Sequence, residues 1–276
     1  MKRSCMTWPA GRRLVAVLGT AALATAFCVT TIQPAAAKSD PDAVKIVDSM
    51  VKAHGGLDKW TSAPTVSFHD AFKPAGAPAA MVSQVTVEQG PRRAYIDYPE
   101  MGMNLTWDGE KAWSVDWKLP YPPRFMALLN YYFVNLPWLT KDPGVVLGNV
   151  STEKLWDDPT DYITVHMTFE SGVGDTPDDY YVLYIDPKTH MMKGCRYVVT
   201  YEGLLPEGAT STPEHILVFD TFDTVDGLQV PIHYTVYQLD HSVYAECGLS
   251  NWSFQKPFDS ARMTMSEGAV LDESKP

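Results

Sequence analysis

The sequence has few cysteines and few basic residues for its length. Its 276 residues include four cysteines, and none of them forms a CxxC pair, so nothing indicates a zinc ribbon or an iron–sulfur cluster. Lysine and arginine number 22 against 33 acidic residues, which gives a net charge of −11. Because nucleic-acid binding depends on clustered basic residues, this charge argues against a nucleic-acid partner. A hydrophobic content of 45% with 12% aromatic residues excludes a wholly disordered chain.

Catalytic and metal-binding motifs are also missing. The sequence contains no GxSxG, HExxH, Walker or GxGxxG pattern, and its seven histidines form no HxH or HxxxH pair. The acidic segment of Asp175, Asp178 and Asp179 lacks the spacing of an EF-hand and is interpreted as a solvated turn. The sequence therefore predicts a protein that is not an enzyme and needs no metal or cofactor. A hydrolase with a site assembled from dispersed carboxylates stays open as an alternative.

Residues 1–37 have the three parts of an export signal. Basic residues precede an apolar run from Leu14 to Val29, and small residues at Ala35–Ala37 offer a cleavage site. The pattern predicts a signal peptide that is cleaved near Ala37, and hence a periplasmic or secreted protein, by either the Sec or the twin-arginine route. The signal holds four of the basic residues and no acidic one, so residues 38–276 carry a net charge of −15.

Two cysteines remain after cleavage, Cys195 and Cys247. Export permits a disulfide between them, which would close a long loop and stabilise the fold by roughly 4 kcal/mol in the chain-entropy model. Each cysteine could equally be a small buried apolar residue. The sequence leaves both possibilities open.

The rest of the chain begins with a helix and continues almost entirely as strands. Asp40 is a good N-cap, Pro41 suits the first helical position, and Gly55-Gly56 supplies the stop. From Thr65 onward the apolar residues alternate with a period of two, and Asp108-Gly109 and Asp226-Gly227 are hairpin turn signals. An antiparallel meander in a single domain over residues 38–276 is therefore predicted. The predicted strands are 65–72, 81–89, 92–98, 103–107, 111–117, 162–169, 179–186, 191–201, 214–224, 229–239 and 243–254.

A second helix interrupts the strands at residues 124–136. Pro122-Pro123 precede it, and Pro137 is expected to end it. Such a helix must cover one face of the sheet, and two interpretations stay open: it closes the core, or it is a lid over a hydrophobic cavity. Its bulky apolar residues recur at helical spacing on one face: Phe125, Leu128, Leu129, Tyr132, Phe133 and Leu136.

Four segments, taken in order, resemble the LolA/LolB-like superfamily of exported lipoprotein carriers and related lipid-binding proteins. They are KAHGGLDKW at 52–60, WDGEKAW at 107–113, LYIDPKT at 183–189 and VDGLQVP at 225–231. The resemblance implies a mainly β fold with some helix: a strongly curved antiparallel sheet, an incomplete barrel of about eleven strands, with helices packed on its concave face. It also implies that acyl chains or other apolar ligands bind between helices and sheet.

The function expected from these observations is the binding of a hydrophobic ligand in a cavity between sheet and helix. The ligand would be a lipid, an acyl chain or a lipoprotein, and the protein a periplasmic carrier. An alternative is a lipid-sensing interaction module with a membrane protein partner. The residues expected to line the cavity come from the helix and from one face of the strand at 111–117: Phe125, Leu128, Leu129, Tyr132, Phe133, Trp113, Val115 and Trp117.

Overall fold

The computed structural model describes residues 38–274, and the predicted signal peptide lies outside them. These residues are mainly β and form one antiparallel sheet of 13 strands. The strands are β1 Thr65–Pro74, β2 Met81–Glu88, β3 Ala94–Tyr98, β4 Met103–Trp107, β5 Ala112–Val115, β6 Val145–Glu153, β7 Tyr162–Phe169, β8 Tyr181–Ile185, β9 Met192–Tyr197, β10 His215–Val225, β11 Leu228–Gln238, β12 Val243–Ser253 and β13 Val270–Leu271. The helices are α1 Pro41–Ala53, α2 Leu57–Thr61 and α3 Pro123–Leu139.

The sheet consists of two meanders joined side by side. Strands β1 to β5 run outward from the centre to one edge, and β6 to β12 run inward from the opposite edge. The two meanders meet where β1 pairs with β12, and β13 adds to the outer side of β5. Within the described residues the edge strands β13 and β6 do not pair, so the sheet is not closed into a barrel. The predicted fold class is confirmed, with 13 strands instead of about eleven.

Helix α3 crosses the face of this sheet because of where it lies in the chain. It links β5, beside one edge, to β6 at the opposite edge. On its way it packs against β3, β4, β5 and β11 and against α1. The expectation that an inserted helix covers one face of the sheet is therefore confirmed, and the two-meander topology is its cause.

The two strands missed by the sequence prediction are the edge strands. In β6 the apolar pattern stops at Gly148 and Asn149, where a bulge interrupts the pairing with β7 and Asn149 has φ +48°. The side chains from Asn149 to Thr152 are exposed, so β6 has no alternating pattern there. Strand β13 has only two residues and shows no periodicity at all. Neither strand has the half-buried alternation on which the prediction depended.

Helix α1 begins and ends as the sequence predicts. The Asp40 carboxylate accepts a hydrogen bond of 2.8 Å from the backbone N–H of Asp42, and Gly55, at φ +103°, follows the helix. A Cβ at Gly55 would lie 2.4 Å from the carbonyl oxygen of Gly227, so the chain requires glycine there for a close approach as well as for its backbone conformation.

His54, between α1 and the glycines, links the helix to the sheet. Its Nε2 accepts a hydrogen bond of 3.0 Å from the backbone N–H of Met192, and its Nδ1 lies 3.1 Å from the carbonyl oxygen of Gln229. An acceptor at Nε2 leaves the proton of the neutral ring on Nδ1, where it is donated to Gln229. Burial lowers the pKa of His54 to about 4. The histidine thus joins α1 to β9 and β11 as a neutral side chain.

The prediction that Pro137 ends the second helix is wrong, because α3 continues through Pro137 to Leu139. Proline cannot donate to the carbonyl of Phe133 four residues earlier, but a proline in the last turn costs a helix less than one at its centre. The hydroxyl of Thr140 donates to the carbonyl oxygen of Pro137 at 2.7 Å, and Trp138 and Leu139 are buried. Packing of this last turn holds it helical.

The main core lies between the helices and the concave face of the sheet. It contains fully buried residues from α1, α3 and most strands, among them Val47, Phe68, Leu105 and Leu136. A smaller apolar cluster lies apart from it and consists of Leu155, Tyr162, Val182, Tyr184, Ile216 and Val218. None of the helices in residues 38–274 is long and apolar enough to span a membrane.

The two cysteines do not form a disulfide in the structure. Cys195 and Cys247 are both free and buried. They lie on β9 and β12, which are separated by β10 and β11. Three strand spacings place the two residues roughly 14 Å apart, well beyond the ~7 Å that a disulfide spans. Of the two possibilities that the sequence left open, the structure has two free, buried cysteines and no disulfide between them.

Candidate ligand-binding site

A cavity of about 540 Å³ lies beside the first half of α3. Cavities that bind small molecules usually enclose about 300–1,000 Å³, so the space suits a ligand. Its walls come from α3, the turn between β2 and β3, the start of β6, the β7–β8 region and the segment after β9. The lining residues are Gly90, Pro91, Arg92, Arg124, Phe125, Leu128, Leu129, Tyr132, Phe133, Asp142, Pro143, Val145, Phe169, Val173, Gly174, Asp175, Thr176, Asp179, Tyr181, Val199 and Tyr201.

Helix α3 presents different faces to the core and to the cavity. The core face is fully buried and consists of Met126, Ala127, Asn130, Tyr131 and Val134. The cavity face is apolar but only half-buried at four of its positions, namely Phe125, Leu128, Leu129 and Tyr132. Large apolar side chains gain stability only from the surface that they remove from water. On this face, helix α3 therefore leaves apolar surface exposed to the cavity.

The sheet side of the cavity is a wall of aromatic rings. The ring of Tyr181 lies 5.7 Å from that of Tyr132 and 6.1 Å, stacked, from that of Tyr197, measured between centroids. Nearer the N-terminus of α3, Phe125 lies 5.0 Å from Tyr201. Burial raises the pKa of Tyr132 and Tyr181, so both hydroxyls are neutral at physiological pH. The wall is therefore apolar and uncharged.

An ion pair between Arg124 and Asp175 fixes the N-terminus of α3 at the rim of the cavity. The guanidinium donates through Nε and Nη2 to the two carboxylate oxygens, at 2.7 and 2.8 Å. Its Nη1 donates to the carbonyl oxygen of Glu110, and the group lies over the ring of Trp107 at 4.9 Å. The backbone N–H of Arg124 donates to Asp272, which supplies a carboxylate at the positive end of the helix dipole.

A second ion pair lies elsewhere on the rim. Nη2 of Arg92 is 2.5 Å from Oδ1 of Asp142, and the side chains are about one-third and one-fifth exposed, at 32% and 20%. Arg92 has φ +55°, a backbone conformation that is unusual outside glycine. Because Arg92 lies in the turn after β2 and Asp142 follows α3, this pair connects the helix to the far wall of the cavity.

The loop between β7 and β8 is organised by a buried carboxylate. Asp179 accepts hydrogen bonds from the backbone N–H and the hydroxyl of Thr200, at 2.6 and 2.8 Å, and from the hydroxyl of Thr176 at 2.8 Å. Burial raises the pKa of Asp179, and these hydrogen bonds partly counter the effect. The interpretation of this acidic segment as a solvated turn is wrong for Asp175 and Asp179, which pair with groups distant in sequence.

The structure brings together one of the two predicted groups of site residues. Phe125, Leu128, Leu129, Tyr132 and Phe133 all line the cavity, whereas the three residues from the strand at 111–117 do not. The binding role of all eight residues stays a prediction.

The strand residues lie elsewhere because of the register of β5. Trp113 pairs with Thr106 and Leu271, whereas the core residue Leu105 pairs with Ser114. Since neighbours along a strand point to opposite faces, Trp113 and Val115 face away from the core. Strand β5 ends at Val115, where Asp116 turns the chain at φ +52°, so Trp117 does not continue the expected common face.

The polar rim and most of the aromatic wall have no signal in the sequence. Arg124 and Asp175 are 51 positions apart, and no local pattern joins them. Tyr181 belongs to an alternating strand that was predicted, but its ring could be assigned to the cavity only once the register was known. Among the described residues, the cavity lining holds no histidine, serine, cysteine or lysine.

Comparison with known proteins gives a match to a family and matches to solved structures. Residues 110–214 match a family described as "Family of unknown function (DUF6503)", which corresponds to the stretch from just before β5 to just before β10. No curated protein matches the sequence.

Two similar structures come from Desulfovibrio piger and Nitrosomonas europaea. The first, a DUF1329 family protein, has a TM-score of 0.52 and 12% identity and covers 83% of this chain and 100% of its own. The second, a LolA superfamily protein, has a TM-score of 0.49 and 11% identity, with 80% and 97% covered. At 12% identity the first likeness shows the fold alone.

Proposed function

We propose that this protein is an exported, non-enzymatic carrier that binds an acyl chain or a similar apolar ligand in the cavity beside α3. The ligand would be a lipid or the lipid part of a lipoprotein. The observation that carries the proposal is the half-buried apolar face of α3, which lies opposite a neutral aromatic wall across about 540 Å³ of space. Four of the five charged groups of the lining form two ion pairs at the rim, which leaves these two surfaces apolar, as is usual for sites that bind apolar molecules.

The proposal of export rests on residues 1–37, which have the basic, apolar and small-residue parts of a signal peptide. The carrier would act in the periplasm or outside the cell. Determining the N-terminal sequence of the protein recovered from the periplasm tests this part, and we expect it to begin near Lys38. An N-terminus that still carries residues 1–37 would contradict cleavage.

Ligand binding is tested with an uncharged naphthylamine dye whose fluorescence rises in apolar surroundings. In Leu129→Glu, a carboxylate would lie against the apolar ligand at a high cost of desolvation, so we expect a folded protein that no longer binds the dye. The matched control is Leu239→Glu, which introduces the same charge at a side chain that is 52% exposed and outside the cavity lining. A folded Leu129→Glu variant that binds the dye normally would place the ligand elsewhere.

A series of ligands of increasing chain length gives a second test on the unchanged protein. Each methylene group transferred from water contributes about 0.8 kcal/mol, so two more carbons should tighten binding about fifteenfold until the cavity is full. Affinity independent of chain length would contradict binding of acyl chains. Native mass spectrometry of the protein purified from its own host would show which ligand it carries.

A further inference from the structure

The two guanidinium groups at the rim of the cavity are already paired. Arg124 directs Nε and Nη2 at Asp175 and Nη1 at a backbone carbonyl, and its face lies on Trp107. Arg92 is paired with Asp142. An anionic ligand would therefore meet each guanidinium beside a carboxylate that already lies 2.5 to 2.8 Å from it and balances its charge.

The charge of the lining is negative once these pairs are counted. The lining contains two arginines and three aspartates. The third aspartate is Asp179, whose hydrogen-bond partners are neutral threonine groups. Asp272, which caps α3 beside Arg124, adds a further carboxylate near the rim. Residues 38–276 carry a net charge of −15, so the field of the whole protein also repels anions.

We propose that the cavity selects ligands whose polar end carries no net charge, and that the ion pairs Arg124–Asp175 and Arg92–Asp142 impose this selectivity. The inference rests on the proposed function. An acyl chain esterified to an uncharged or zwitterionic group enters the apolar space without disturbing either pair. A fatty-acid carboxylate or an anionic phospholipid meets the carboxylate of Asp179, whose partners are neutral, and two guanidiniums whose charge is already balanced by Asp142 and Asp175.

The ion pairs also hold the wall of the cavity in place, so a test must separate charge from shape. Replacement of Asp175 by asparagine keeps the size of the side chain and removes the carboxylate that occupies Arg124. The matched control is Asp42→Asn, which changes the net charge of the protein by the same amount. It breaks the exposed Lys45–Asp42 ion pair on α1, and neither residue lines the cavity. A local effect of Arg124 therefore appears in the first variant only.

The experiment measures displacement of the uncharged naphthylamine dye by ligands with the same sixteen-carbon chain. Monopalmitoylglycerol is uncharged, lysophosphatidylcholine is zwitterionic, and palmitate and lysophosphatidylglycerol are anionic. For the wild type we expect the first two to bind at least tenfold more tightly than the last two. In Asp175→Asn this ratio should fall at least threefold, with a smaller fall in 1 M salt, and in Asp42→Asn it should not change.

The outcomes distinguish this inference from the proposed function. If the dye binds and anionic ligands displace it as well as neutral ones do, the proposed selectivity is contradicted, whereas the proposed binding function is supported. If neither the dye nor any ligand binds, the proposed function itself fails. Should Asp175→Asn not fold, Asp142→Asn applies the same test to Arg92. Unchanged selectivity in a folded variant of either kind would show that the ion pairs do not impose it.

Discussion

The thiol of Cys247 donates a hydrogen bond of 3.0 Å to Oδ1 of Asp70, at the centre of the buried face of the sheet. Asp70 is fully buried on β1, and its other oxygen, Oδ2, has no hydrogen-bond partner among the described residues. Strands β2 and β3 contribute two more buried hydroxyl groups, those of Ser83 and Tyr98, which have no hydrogen-bond partner among the described residues. A polar row of this kind under α3 makes the core sensitive to protonation.

The first prediction concerns Asp70. Burial raises its pKa from 3.8 to about 6, so the folded state favours the protonated form. The stabilisation from this shift is fully present below pH 3.8 and is lost as the pH rises through about 6, which amounts to ~3 kcal/mol. We expect Asp70→Asn to gain about that much relative to the wild type between pH 4 and pH 7.

Urea unfolding at several pH values measures this gain. The control is Asp157→Asn, which removes an exposed carboxylate and changes the net charge equally. A constant difference between Asp70→Asn and the wild type from pH 4 to pH 7 would show that Asp70 does not titrate in this range.

The second prediction concerns His54, whose pKa burial lowers from 6.5 to about 4. The neutral ring is the form that the fold accommodates, so its stabilisation is present above pH 6.5 and is lost as the pH falls to about 4, again by ~3 kcal/mol. His54 and Asp70 therefore act in opposite directions between pH 4 and 6, and their contributions nearly cancel in the wild type.

Replacement of His54 by glutamine should reveal the contribution of Asp70 alone. We expect the free energy of unfolding of His54→Gln to decrease as the pH rises from 4 to 6, although the variant is less stable than the wild type at neutral pH. In the double variant with Asp70→Asn this decrease should disappear. A decrease that persists in the double variant would assign it to other groups.

The third prediction compares two leucines of α3. Leu136 is fully buried, and its replacement by alanine should cost ~2–5 kcal/mol because it leaves a void in a packed core. Leu129 is half-buried beside a space that already exists, so Leu129→Ala should cost about 1 kcal/mol and weaken dye binding. Equal destabilisation by the two substitutions would mean that α3 closes a core instead of covering a cavity.

The fourth prediction concerns the thiols. Burial raises the pKa of both Cys195 and Cys247, and neither is paired. A thiol reagent should therefore leave the native protein lacking residues 1–37 unmodified and should titrate two thiols after denaturation. Dithiothreitol should not shift the midpoint of urea unfolding. A shift toward lower urea would reveal a disulfide.

The features that the sequence predicted correctly depend on residues close together in the chain. Asp40 and the glycines at 55 and 56 bound α1 through local capping, and Asp226-Gly227 forms the expected turn with both residues at positive φ. The apolar spacing at residues 124–136 likewise predicted a helix there, and α3 spans Pro123–Leu139.

The features that the sequence could not predict depend on which strands become neighbours. Trp113 points away from the core because of the pairing of β5 with β4 and β13, and a shift of one residue would reverse its face. The partners of Arg92 and Arg124 lie 50 and 51 positions away, on segments that meet only when the sheet is complete. The local periodicity of the sequence contains no information on contacts between segments so far apart in the chain.

The arrangement of two meanders has a consequence for the order of folding. Every other contact between neighbouring long strands joins hairpin partners, whereas β1 and β12 pair residues such as Ser67 and Ser253, near opposite ends of the described chain. Closing so long a loop costs more entropy than closing a hairpin. We therefore expect the two meanders to form early and to join late, so that a substitution weakening the β1–β12 pairing slows folding more than one in a hairpin, as measured by stopped-flow refolding. The chain would then behave as two local folding units with one rate-limiting junction between them.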